Sequence, residues 1–221
     1  MVYCMTSVFY ALAQGNLEAT LALAQPDRVI AAEKAHTPSR ILEALAEDES
    51  FYVRIRVALN PNTPVKALRA LARNPETLYG VARNPSTPRD ILVSCVEGKE
   101  STRVQLAKNT EVPLDLLEQL VKDESHNVRF AVMESDRSSA DMAKIAYYLE
   151  VEHDTLTEGF AVMVLSKGIK ISSTELSALV ALFGPKVAEA VFNHSDFSRG
   201  SILARQLQEY GFAKSENVPQ R

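Results

Sequence analysis

The alternation of apolar and polar positions is clearest over residues 53–72, VRIRVALNPNTPVKALRALA. Apolar residues crowd the stretch from Val53 to Leu59, stop at Asn60-Pro61, and resume after Thr63-Pro64 with Leu68 and Leu71. Proline pushes the residue before it out of the α region, so Asn60-Pro61 ends a short helix. Thr63 is expected to cap a second helix, its hydroxyl accepting from an unpaired first-turn amide. Pro64 then takes the first helical position, where no amide proton is needed. Helix, Asn-Pro corner and capped helix make a hairpin with one apolar face, which it cannot bury alone.

The hairpin recurs. With the Thr of Thr-Pro as reference point, the same point falls at Thr37, Thr63, Thr87, Val112 and Ser138, in steps of 26, 24, 25 and 26 residues. Eight residues earlier stand Val29, Ile55, Tyr79, Val104 and Phe130; five earlier stand Ala32, Ala58, Ala82, Ala107 and Met133. Five later stand Leu42, Leu68, Leu92, Leu117 and Ala143; eight later stand Leu45, Leu71, Cys95, Leu120 and Ala146. Four apolar columns held in register over five copies, at a period of ~25 residues, are the mark of an all-α solenoid.

The string VR-x-x-VA-x-NP-x-TP-x-x-x-L-x-x-LA resembles the leucine-rich repeat variant family, a short-period relative of HEAT and armadillo repeats. The likeness covers residues 28–149 and is sharpest over 53–96. It implies a right-handed α–α superhelix in which α-helices alternate with short 3₁₀ turns. Some members carry a cysteine-rich iron–sulfur module at the N-terminus. With only two cysteines, Cys4 and Cys95, this chain departs from that pattern, and no cofactor is expected.

The expected organisation has four parts. Residues 1–27 form two capping helices, near 6–13 and 16–24, broken at Gly15, because the end of a stack must cover its last apolar face. Residues 28–149 hold five repeats. Residues 150–213 form divergent helical hairpins: a polar break from Val151, a helix ending at Gly168 as an αL cap, a helix capped by Ser172 or Ser173, a turn at Gly184-Pro185, and a last helix over 198–210. Residues 214–221 form a loose tail. The linkers Glu47-Asp48-Glu49-Ser50, Glu97-Gly98-Lys99-Glu100 and Lys122-Asp123-Glu124-Ser125 are short and mostly acidic.

Composition narrows the function classes. Apolar content of 46% and charged content of 24% suit a soluble globular chain. The longest apolar runs, such as residues 176–183, fall far short of the ~20 needed to cross a bilayer. The first fifteen residues lack the basic flank of a signal peptide. Two cysteines give neither a disulfide framework nor a metal site, so a reduced, cytoplasmic setting fits best. A formal charge of −4 removes the global attraction on which non-specific nucleic-acid binders rely.

One column is charged. Nine residues before the reference point stand Arg28, Arg54, Arg103 and Arg129, with Leu78 in the remaining copy. Such a row can be a binding stripe for phosphates or an acidic peptide. It can equally be a structural ladder, because Asp48, Glu97 and Asp123 lie six residues before Arg54, Arg103 and Arg129. The ladder is the preferred reading. Asn60, Asn84 and Asn109 share the position three before the reference point, where an amide can satisfy helix-end groups or the next turn. Cys95 replaces a leucine in a core column and is read as a small buried residue. The four histidines share no ligand or triad spacing, and His194-Ser195-Asp196 is a run of neighbours, whereas triad members meet through the fold.

No enzyme is expected. The preferred function is a scaffold that binds a protein or peptide partner through the solenoid surface. The alternative is a HEAT-like nucleic-acid binder using arginines of the central repeats. The candidate binding residues for either are Arg54, Arg56, Arg69, Arg73, Arg83, Arg103 and Arg129. Acidic linkers and the absence of tryptophan for base stacking count against nucleic acid.

Overall fold

The computed structural model describes Val8, Ala11, Leu12 and residues 14–192, and the regular structure among them is entirely α-helical. The chain divides into two compact units, Met1–Leu120 and Val121–Arg221. The first holds α1 (Leu17–Leu21), α2 (Gln25–Glu33), α3 (Ser39–Leu45), α4 (Phe51–Leu59), α5 (Val65–Leu71), α6 (Leu78–Arg83), α7 (Arg89–Val96), α8 (Glu100–Ala107) and α9 (Leu114–Leu120). The pairs α2/α3, α4/α5, α6/α7 and α8/α9 are hairpins. Their first helices pack one on the next, α2 on α4, α4 on α6 and α6 on α8, while α3 packs on α5 and α7 on α9. These helices are too short to be stable in isolation, so burial between neighbours holds them.

Three of the four predicted apolar columns are buried in every copy. Ala32, Ala58, Ala82, Ala107 and Met133 are sealed, as are the columns of Leu42, Leu68, Leu92, Leu117 and Ala143 and of Leu45, Leu71, Cys95, Leu120 and Ala146. The column eight before the reference point is different: only Ile55 is buried, and Val29, Tyr79, Val104 and Phe130 remain partly exposed. Its place is taken by the column six before, Ala31, Val57, Val81, Leu106 and Val132. At 3.6 residues per turn the inward face carries positions ten, nine, six and five before the reference point, and position eight falls on its flank. The close approach of α6 to α4 also needs Gly80: a Cβ there would stand 2.6 Å from Ile55 Cδ1 and 3.0 Å from Ala58 Cβ.

The Thr-Pro corner works differently from the sequence expectation. Helix α5 begins at Val65, Pro64 is its N-cap residue, and no side chain caps its first turn. The Thr63 hydroxyl instead donates backwards to Val57 O at 2.5 Å. Thr37 does the same to Ala31 O at 2.5 Å and Thr87 to Val81 O at 2.6 Å. Pro61 and Pro85 stand where an i+4 amide would be, so the carbonyls of Val57 and Val81 keep only the amides of Asn60 and Asn84, at 3.0 and 3.1 Å, and have a lone pair to spare. The hydroxyl six residues on reaches it inside the core.

The second unit holds α10 (His126–Glu134), α11 (Ala140–Glu152), α12 (Glu158–Ser166), α13 (Ser173–Phe183) and α14 (Pro185–Phe192). Helix α10 packs on α11 and α12, α12 packs on α14, and α13 packs on α14. The break expected from Val151 comes later, because α11 runs through Glu152 and Asp154 turns the chain with φ 55°. Gly168 and Gly184 take positive φ, 72° and 77°. Ser172 and Glu175 form a reciprocal capping box at the start of α13. The helix expected over 198–210 and the tail at 214–221 lie outside the described residues, as does most of the helix expected near 6–13.

Candidate functional site

The asparagine column is the best-formed polar feature of the first unit. Asn60 Nδ2 donates to Ala32 O at 2.7 Å and Lys34 O at 3.0 Å. Asn84 Nδ2 donates to Ala58 O and Asn60 O, both at 2.7 Å, and Asn109 Nδ2 to Ala82 O and Asn84 O, both at 2.8 Å. Each Oδ1 accepts the amide two residues on, of Asn62, Ser86 and Glu111. All three side chains are buried. The donors therefore serve the preceding hairpin, 24 to 28 residues upstream, rather than their own turn. With both Nδ2 protons and the oxygen engaged, the row offers nothing to a ligand.

The arginine column is engaged too. Arg28 Nε and Nη2 grip Asp48 at 2.6 and 3.1 Å, and Nη1 donates to Leu23 O. The Asp48 hydrogen bond, outweighing the cost of burial, raises the Arg28 pKa further above its usual value. Arg54 Nη1 donates to the backbone oxygens of Asp48 and Glu49, at 2.7 and 2.9 Å, and Arg103 Nη1 to Gly98 O at 2.8 Å. The residue six before Arg54 thus supplies its carbonyl, while the Asp48 carboxylate turns to Arg28 and to the Ser50 amide. Arg28 thus finds its acid 20 residues downstream, in the turn that opens the next hairpin.

The same logic is carried furthest in the second unit. Arg129 is 1% exposed; its Nε meets Glu150 Oε1 at 2.6 Å, its Nη1 the carbonyls of Asp123 and Glu124, and its Nη2 the Thr155 hydroxyl. Glu150 Oε2 lies 2.6 Å from His126 Nδ1. Burial alone would raise the Glu150 carboxyl pKa, but the bonds from Arg129, Thr155 and His126 outweigh it and hold it below the usual value. The ring of His126 packs against both Phe130 and Phe160, at centroid distances of 6.0 and 5.7 Å, and the two phenyl rings are 6.2 Å apart.

The remaining candidates are on the surface. Arg56 pairs with Glu33 at 3.0 Å, and Arg69 grips Asp90 at 2.6 and 3.2 Å. Arg89 and Asp115 repeat that fork one hairpin on. The hydrogen bond from each arginine, opposed by a smaller desolvation effect, lowers the pKa of Asp90 and of Asp115. Arg73 and Arg83 are exposed and have no partner among the described residues. The seven nominated arginines are thus not brought together. Arg54, Arg103 and Arg129 hold carbonyls inside the fold, Arg56 and Arg69 pair between helices, and two stand alone.

Burial pushes the Cys95 thiol pKa up to about 11, which leaves no thiolate for nucleophilic chemistry near neutral pH. His36 is exposed, and His153 Nδ1 lies 2.8 Å from Leu149 O. Among the described residues no three His, Cys, Asp or Glu side chains gather as a metal site, and no helix is long and apolar enough to cross a membrane. Cys4 and His194-Ser195-Asp196 lie outside the described residues. No protein-family model matches the chain, and no match was found among curated proteins or solved structures.

Proposed function

We propose that the protein is a non-enzymatic scaffold of the α-solenoid kind, right-handed and similar to leucine-rich repeat variants, that binds a protein or peptide partner. What supports this most is where the charge goes. Five of the seven candidate arginines, Arg54, Arg56, Arg69, Arg103 and Arg129, already have partners within the chain, and only Arg73 and Arg83 keep their donors for something else. A duplex binder needs several cationic groups aimed at phosphates together, because each contact releases counterions and adds to affinity. A partner protein needs shape and a few anchors, which stacked hairpins supply over a long surface. The net charge of −4 favours the same reading.

The test is fluorescence anisotropy with a random DNA duplex of about 20 base pairs at two salt concentrations, beside affinity capture with and without nuclease. The expected outcome is duplex binding no tighter than ~10⁻⁴ to 10⁻⁶ M near physiological salt, and capture that survives nuclease. Submicromolar duplex binding with a steep salt slope, weakened by Arg73→Glu or Arg83→Glu, would establish the nucleic-acid reading instead.

A further inference from the structure

Nine large apolar side chains stand exposed among the described residues, and three of them, Ile145, Tyr148 and Val151, belong to α11. They are spaced i, i+3, i+6 on the side of the helix turned away from its buried residues Met142, Ala143, Ala146, Tyr147 and Glu150. The Tyr148 hydroxyl donates to Glu175 Oε1 at 3.2 Å, which sets the first turn of α13 beside this stripe. Leu182, 69% exposed, is seven residues beyond Glu175 and so two turns along the same face of α13. Ile145, Tyr148 and Val151 make one apolar strip along α11, with Leu182 exposed on α13 as a separate apolar position. The charge around the strip is mostly acidic: Asp141, Glu152 and Asp154 are exposed with no ion-pair partner among the described residues, while the exposed Lys144, next to Ile145, is the one base on α11.

We propose that this face docks an amphipathic helix of a partner protein, with basic residues flanking the partner's apolar stripe. Apolar anchors at helical spacing would lie along the α11 strip, as in other helix-in-groove contacts. Lysine or arginine at the edges would meet Asp141, Glu152 and Asp154, which sets orientation and encounter rate more than affinity. The inference rests on the scaffold reading and adds to it the surface and the partner chemistry.

The probe is a fluorescein-labelled peptide of about 18 residues, leucines at helical spacing and lysines elsewhere, titrated against the full chain. Saturable binding is expected. Ile145→Ser/Val151→Ser should weaken it about tenfold, since two half-exposed branched side chains lose their contact, and Asp141→Lys/Glu152→Lys should weaken it further at low salt. Val65→Ser/Leu114→Ser, two exposed apolar positions in the first unit, should leave it unchanged. No saturable binding at about 100 μM peptide, or equal loss from the control pair, overturns the proposal. So does sedimentation showing that the chain dimerises and that Ile145→Ser/Val151→Ser abolishes the dimer, because the face then belongs to a second copy. If the peptide fails while nuclease-resistant capture persists, this surface falls and the scaffold reading stands.

Discussion

Replacing Asn84 by alanine tests the asparagine row most directly. The side chain is 1% exposed and makes three hydrogen bonds. The losses are unequal. Asn60 O keeps the Thr63 amide at 3.0 Å, so it is not orphaned. Ala58 O sits at the end of α4, and the amide four residues on, that of Asn62, is already given to Asn60 Oδ1. That buried carbonyl is left bare, at about 1–3 kcal/mol, and the part-buried Ser86 amide adds about 1 kcal/mol. A total near 3 kcal/mol corresponds to a melting temperature lowered by about 10 °C for a unit of this size, read by circular dichroism at two scan rates. Asn62, an exposed side chain that reaches Ala35 O, is the control and should cost far less. Asn84→Asp should be worse at neutral pH, because a carboxylate would face two carbonyl oxygens. Its folded pKa would be raised above the unfolded value of ~3.9, so the penalty builds as pH rises from there and shrinks on acidification. If Asn84→Ala moved the melting temperature no more than Asn62→Ala, the row would be incidental to stability.

Three further predictions use the same assay. Leu68→Ala, at a fully buried position, should cost about 2–5 kcal/mol, and an unmoved transition would mean that the register of the repeat is misassigned. Gly80→Ala should cost about 1–3 kcal/mol through overpacking against Ile55 and Ala58; Ile55→Val, which removes the nearer clashing methyl, should recover part of that loss, whereas simple additivity would refute the contact. Glu150→Gln should cost about 3–5 kcal/mol by leaving buried Arg129 without its counter-charge. Because the folded Glu150 pKa lies below its ordinary value of 4.5, its contribution is present above that value and is lost as pH falls through the folded pKa. The variant should therefore flatten the acid limb of the stability profile, and an acid limb of unchanged steepness would place its origin elsewhere.

The helical hairpins were legible because their core positions recur, and a column of leucines such as Leu42, Leu68, Leu92 and Leu117 has few readings other than burial. Sequence offsets failed where partners are remote. Spacing alone ties Asn60 to its own corner, yet its amide serves carbonyls 26 and 28 residues away, a distance that no local capping rule considers. Arg54 and Asp48 did belong together, but through a backbone oxygen, since the carboxylate was claimed by Arg28. The column at Val57 and Val81 was missed because it adjoins the alanine column and reads as part of one apolar run. The Arg129–Glu150 pair had a signal in the arginine column, but Glu150 stands in α11 with an acid two residues on and nothing in sequence to single it out.

The Thr-Pro corners also bear on covalent modification. Thr37-Pro38, Thr63-Pro64 and Thr87-Pro88 are the dipeptides that proline-directed kinases recognise in extended chains. In the folded protein the three hydroxyls are 3%, 2% and 6% exposed, and each has given its proton to a carbonyl. A phosphoryl group would bring about two negative charges and three acceptor oxygens up against the carbonyl that now accepts the hydroxyl proton. These threonines are therefore hidden from such enzymes for as long as the hairpin stays closed. Phosphate on any of them would mark a chain that had opened, and it would prevent that corner from closing again.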